Sequence, residues 1–335
     1  MLNFFKSNNL AVAFINVILI FLFRLVYFFH PIGLSHLYHN TEPASQFIIR
    51  LLHIGPGTHL AFLLTAGGVL CLIESLLINK IMNSYRVTSK KNYLGGLMFV
   101  VLTSIVPECM VISPAIIASL LLILCIDKIF ELAKPEKLYG HIFDLGFLSG
   151  LAMLFYFPAV YFLIFVFIGF FMMRSVTFRE RLIVFTGFFS TLLIVFTVYL
   201  WFDSLPQMIS DMINIRYKTP LALTGMSHWQ IAYISWIGIL ALWLIVFTPG
   251  LLFTSVIQIR KYISMLAIGA ALSVAALPLA FNFNLSHLIF ILTSMSILFT
   301  VYFVETKTNI ITEILFIVLI LSVTIFQYLP FFVRI

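Results

Sequence analysis

The sequence predicts an all-α protein, a polytopic bundle of membrane helices, and three observations predict it. Of its 335 residues 62% are hydrophobic and only 9% are charged, whereas about a quarter of the residues of a soluble domain are charged. The mean hydropathy is +1.14. The apolar residues also fall into about eleven runs, most of them long enough to cross a hydrocarbon core of about 30 Å. Finally, most of the 19 lysines and arginines gather in every second short connection between those runs, which is the charge asymmetry that orients membrane helices. No soluble domain, low-complexity tract or linker interrupts the pattern, so residues 1–335 read as a single integral membrane domain.

Taken in order, the first run covers 10–29, with Lys6 before it and one interior charge, Arg24, close enough to the far end to snorkel. No small-residue cleavage site follows, so this run is expected to be an uncleaved helix. In the connection that follows, Ala44, Phe47, Ile48, Leu51 and Leu52 recur at helical spacing, capped by Asn40 or Thr41 and stopped at Gly55-Pro56-Gly57. That segment should lie in the outer interface. The second run, 59–79, carries Glu74 and ends at Lys80, Arg86, Lys90 and Lys91. The third, 93–106, returns outward to a tight turn bracketed by Pro107 and Pro114, and the fourth, 115–129, descends to Lys128, Lys134 and Lys137.

Runs five and six, 146–157 and 159–173, form a hairpin about Pro158 whose limbs are short, as befits helices inside a bundle. Arg174, Arg179 and Arg181 close it. Run seven, 182–201, leads to a third outer connection in which Leu205, Met208, Ile209, Met212 and Ile213 predict a second interfacial helix. Run eight, 231–253, holds Pro249-Gly250 near its end; runs nine to eleven follow at 262–281, 287–304 and 310–328. Lys6 and the connection charges place the N-terminus in the cytoplasm of a bacterial inner membrane and the C-terminus in the periplasm. The two halves show no inverted repeat of the kind that transporters carry.

This pattern excludes several classes. The formal net charge of +7 belongs to topology-setting connections, so nucleic acid is not a predicted partner. Cys71, Cys109 and Cys125 have no paired spacing. His36 and His39 stand three residues apart without a carboxylate beside them, so no metal site is predicted, and no nucleotide-binding or hydrolase motif occurs. No resident cofactor is expected, although the acid inventory leaves room for a divalent cation.

The outer connections nevertheless hold an acid, base and cation inventory. A carboxylate that deprotonates a hydroxyl and cations that hold a departing lipid phosphate are what transfer from a polyprenyl-phosphate carrier requires. Glu42 fits the base by type, with Glu108 as a second candidate. Arg50, Arg216, Lys218 and His228 fit substrate-phosphate contacts. Each has a plainer reading: outer loops must be polar, Glu42 before Pro43 suits a first helical turn, and an acid in a proline-bracketed turn needs no chemistry. Glu74, within an apolar run, is a functional suspect by default, though it stands close enough to Lys80 to reach the interface. Asp127 beside Lys128 suggests a local pair or an interfacial position, and His141 and Asp144 suit the cap of the fifth run.

The stretch 146–182, with Gly150-Leu151-Ala152, Phe157-Pro158 and Arg179-Glu180-Arg181, resembles a family of uncharacterised bacterial polytopic membrane proteins, a domain of unknown function, best over residues 120–200. More distantly it is similar to the Gly-Leu-Ala and proline hairpin of the GT-C glycosyltransferases, which take sugars from polyprenyl-phosphate carriers. That resemblance implies a GT-C-like arrangement, with interfacial helices in the first and third outer loops and an acidic catalytic residue in the first, the position of Glu42. Membrane lipids, a polyprenyl-linked substrate and other membrane proteins are the partners it implies. The expected function is sugar transfer at the outer leaflet during envelope glycoconjugate assembly. The alternatives are a non-catalytic membrane subunit or scaffold of an envelope complex, and a transporter.

Overall fold

The computed structural model describes residues 2–7, 9–29, 45, 60–133, 139–175, 177–206, 209, 228–277 and 285–332. Among them there is helix and no strand. The helices are α1 (Leu10–Phe29), α2 (Leu60–Ser84), α3 (Leu94–Thr103), α4 (Pro114–Glu131), α5 (Tyr139–Phe155), α6 (Tyr161–Met173), α7 (Phe178–Trp201), α8 (His228–Thr254), α9 (Ile257–Ala275), α10 (Leu288–Glu305) and α11 (Ile310–Phe332). They follow the apolar runs in order. Seven helical segments are long and apolar enough to cross a membrane, so the chain has the character of a helical membrane bundle. Most of the first and third outer connections, and with them the two expected interfacial helices, lie outside the described residues.

Helix ends depart from the apolar runs wherever a local cap or the absence of a breaker decides. α7 begins four residues before its run, because Thr177 accepts from the Glu180 N–H at 3.4 Å while the Glu180 carboxylate accepts from the Thr177 N–H at 2.9 Å. α2 continues through Lys80 to Ser84. It stops when Arg86 turns left-handed at φ 49° and the Val87 N–H reaches back to the Met82 carbonyl at 3.0 Å, a closure that glycine usually provides. α5 starts at Tyr139, which places His141 and Asp144 inside the helix rather than at its cap.

The core is α10 packed on α3. Every residue of α3 is buried, and α10 is buried along nearly its whole length. A helix with hydroxyls can occupy that position because they stay within it: Thr293, Ser296 and Thr300 each donate to a carbonyl one turn back at 2.7 Å. α3, only 10 residues long, is about 15 Å in length and cannot span alone. Neighbouring helices cover it, which is the condition for interrupted backbone at membrane depth.

The proline hairpin packs differently from its sequence reading. α5 meets α7 more extensively than it meets its own partner α6. A side chain at Gly146 would strike the Val184 carbonyl, and one at Gly187 would strike the Phe143 carbonyl. Gly150 and Thr191 continue the two small-residue rows one turn on, and the Thr191 hydroxyl donates across to the Phe147 carbonyl at 3.1 Å. Without a hydrophobic drive between helices in lipid, such close approach supplies the association.

Cations and their partners share one end of the bundle. Lys6 donates to the Thr306 carbonyl at 2.9 Å, Glu305 accepts from the Ser89 N–H at 2.7 Å, and Lys261 donates to the Met173 carbonyl at 3.3 Å. Asp127 pairs with Lys80 at 3.4 Å across helices, and Lys128 pairs with Asp144 at 3.3 Å. The local Asp127–Lys128 pair suggested by the sequence is therefore replaced by two bridges between elements. Burial holds the Lys6 ammonium below its ordinary pKa, with Glu305 opposing that shift.

Candidate functional site

Of the residues singled out by sequence, Glu42, Arg50, Arg216 and Lys218 lie outside the described residues. His228 is the first residue of α8 and is exposed. Glu108 occupies a different setting from the polar outer loop expected for it. It is only 6% exposed, in a 3-10 turn at Pro107–Cys109 begun by a proline whose missing N–H the turn does not need.

That turn is the hub of its end of the molecule. Ser113 caps α4 by accepting from the Ile116 N–H, and Pro114 is the first residue of that helix. The Ile112 N–H donates to the Leu63 carbonyl of α2 at 3.2 Å. Gly67 lets the segment lie directly on α2, since a side chain there would strike the Met110 carbonyl and crowd the Ile112 nitrogen at 2.8 Å. From α11 the Gln327 amide donates to the Ser104 carbonyl and stands 3.5 Å from the Met110 sulfur. The segment thus lies along the first two turns of α2, against Leu63 and Gly67.

Arg24 joins this turn to a second polar group deeper in the bundle. It does not snorkel outward. It is 2% exposed and points inward, donating through Nε to the Met110 carbonyl at 3.2 Å, through Nη1 to Ile20 at 3.2 Å and through Nη2 to Gly67 at 3.4 Å. Among the described residues, backbone carbonyls hold this cation. One turn further along α2, past Cys71, Glu74 is 1% exposed and does not reach the interface. Its Oε1 is hydrogen-bonded to the Ser119 hydroxyl of α4, while its Oε2 is buried without a hydrogen-bond partner. On the next position Ser75 accepts from the Asn16 amide of α1 at 3.1 Å and donates to the Leu72 carbonyl at 2.8 Å.

The third polar group is His287, fully buried in the 3-10 turn at Leu285–His287 before α10. Its Nε2 stands 2.9 Å from the Ser273 carbonyl, which only accepts, so Nε2 carries the proton and Nδ1 accepts from the Tyr156 hydroxyl at 3.2 Å. Both nitrogens of a neutral imidazole are thus satisfied, and the ring ties α10 to α9 and to the end of α5. The Cys109 thiol, 3.9 Å from the Leu285 and Ser286 carbonyls, links this turn to the one that bears Glu108. Among the described residues no group of three or more His, Cys, Asp or Glu side chains could hold a metal ion.

Sequence reasoning missed Asn16, Ser119 and His287 as members of interior polar groups. A signal existed: each is a hydrogen-bonding side chain in or beside an apolar run, where an unsatisfied polar group costs several kcal/mol. No protein-family model matches the chain, and no curated protein or solved structure matches it significantly.

Proposed function

We propose that this is a GT-C-like inner-membrane enzyme that transfers sugar from a polyprenyl-phosphate carrier at the outer leaflet during assembly of an envelope glycoconjugate. On this reading the cation-bearing end faces the cytoplasm, as the distribution of positive charge favours. The reaction end is then the opposite one. The observation that carries the reading is Glu108, a buried carboxyl on a turn held from α1, α2 and α11. A base held rigidly and away from bulk water suits removal of a proton from an acceptor hydroxyl. The charged side chains assigned to the carrier phosphate, Arg50, Arg216, Lys218 and His228, belong to the first and third connections and the start of α8, next to that end in the chain. Glu42 is the partner acid in the first connection.

The test is chemical and uses cells. Loss of the protein should cause a polyprenyl-phosphate-linked sugar to accumulate, detected by mass spectrometry of extracted lipids. Wild type should clear it, while Glu108→Gln should lower transfer by about 100-fold or more at unchanged abundance in the membrane. Arg216→Ala should weaken it through substrate binding. No accumulation on deletion, or full clearance by both Glu108→Gln and Glu42→Gln, would refute the proposal.

A further inference from the structure

We propose that Glu74 is a proton-binding site inside the membrane, carrying its proton in the structure described. The inference comes from counting protons. The Ser119 hydroxyl lies 2.8 Å from the Ile116 carbonyl and is also hydrogen-bonded to Glu74 Oε1. A hydroxyl has one proton, and both the carbonyl and an ionised carboxylate only accept. With Glu74 ionised, two acceptors compete for one proton, and Oε2 is left as a buried anionic oxygen without a donor. With Glu74 protonated, the carboxyl donates to Ser119 Oγ, Ser119 donates to Ile116, and the remaining oxygen is neutral. The second arrangement satisfies every donor and avoids an unpaired buried charge.

The surroundings fit a site that gains and loses a proton. Arg24 on the neighbouring α1 is a cation whose hydrogen bonds, among the described residues, go to backbone carbonyls. Cys71 on the same helix and Cys109 at the turn are the other titratable groups in electrostatic reach. α3 contributes no ionisable side chain over Leu94–Thr103, and the charged residues of α4 are at its far end.

Infrared spectroscopy of the full chain in lipid vesicles tests this. The spectrum of wild type minus Glu74→Gln at neutral pH should contain a carboxylic-acid C=O band that shifts in D2O and gives way to carboxylate bands as pH rises. Glu108 and every other acid cancel in that difference. Ser119→Ala leaves the carboxyl intact, so it serves if the glutamine variant does not fold. It should move the same band to higher frequency by removing the hydrogen-bond partner. Carboxylate bands alone at neutral pH, or a wild-type acid band indifferent to Ser119→Ala, would overturn the proposal.

Discussion

The two ends of this bundle handle charge by different means. At the cation-bearing end several acids meet side-chain cations across elements: Asp127 meets Lys80, Asp144 meets Lys128, and Arg174 pairs with Glu180. Away from that end Arg24 is held by carbonyls and, in the bundle interior, Glu74 by a hydroxyl. The first arrangement tolerates water and motion where it is exposed, as at Lys80–Asp127, and such an exposed pair is worth about 0–1 kcal/mol. The second works only where the backbone is fixed, because carbonyl dipoles cannot follow a displaced charge. Position and protonation are therefore tightly set around the Pro107–Cys109 turn and loosely set at the other end.

The largest effect should come from breaking the fixed backbone itself. A β-carbon at Gly67 would fall onto the Met110 carbonyl, with the Ile112 nitrogen and the Val111 carbonyl carbon within 2.9 Å, and these are backbone atoms pinned by Leu63 and Arg24. Gly67→Val should therefore cost about 3 kcal/mol or more, read as a lower midpoint of thermal unfolding in detergent and as loss of folded protein in the membrane. An unchanged midpoint would mean that the turn is free to slide on α2. Next in size, Arg24→Met keeps the stem and removes the charge-assisted bonds, leaving the Met110 carbonyl short of its donor. A loss of about 2–3 kcal/mol is expected by the same unfolding measurement. Arg24→Lys should recover only part of it, since one ammonium cannot reach three carbonyls spread over two helices and a turn.

The order and type of the helices were legible in the sequence because lipid imposes a rule that composition alone reveals. The backbone must satisfy itself, so apolar runs are helices. Which face each helix presents was not legible. α10 and α3 look like any other apolar run, yet they are buried on all sides, because in lipid the outside is as apolar as the inside and no amphipathic stripe marks the difference. The proline turn was legible, but not its depth. Pro107 and Pro114 end helices whether the turn stands in water or beneath a rim, and the run read from the sequence, 93–106, continues past the end of α3 at Thr103. Arg24 and Glu74 were visible as charges in apolar runs. That one reaches backbone carbonyls and the other Ser119 depends on Gly67 permitting close approach, a contact between segments far apart in the chain. Glu108 was weighted as an ordinary loop acid for the same reason. Glu42, Arg50, Arg216 and Lys218 remain expectations from the loops in which they stand.

The smallest effect tests the loose end. Asp127→Asn removes the charge facing Lys80, whose own side chain is 62% exposed, while the backbone carbonyl of Asp127 goes on accepting from the Tyr85 hydroxyl at 3.0 Å. The helix contact between α2 and α4 therefore survives the substitution. Only a screened attraction is lost, so the midpoint should fall by an amount equivalent to about 0.5 kcal/mol or less, and less still in high salt, where a distance of a few ångströms in water is strongly damped. Arg24→Met should keep its full effect over the same salt range, because no solvent ions reach its carbonyl cage. Equal salt sensitivity of the two variants would mean that water enters the bundle to the depth of Arg24, and the difference between the two ends would then be one of degree.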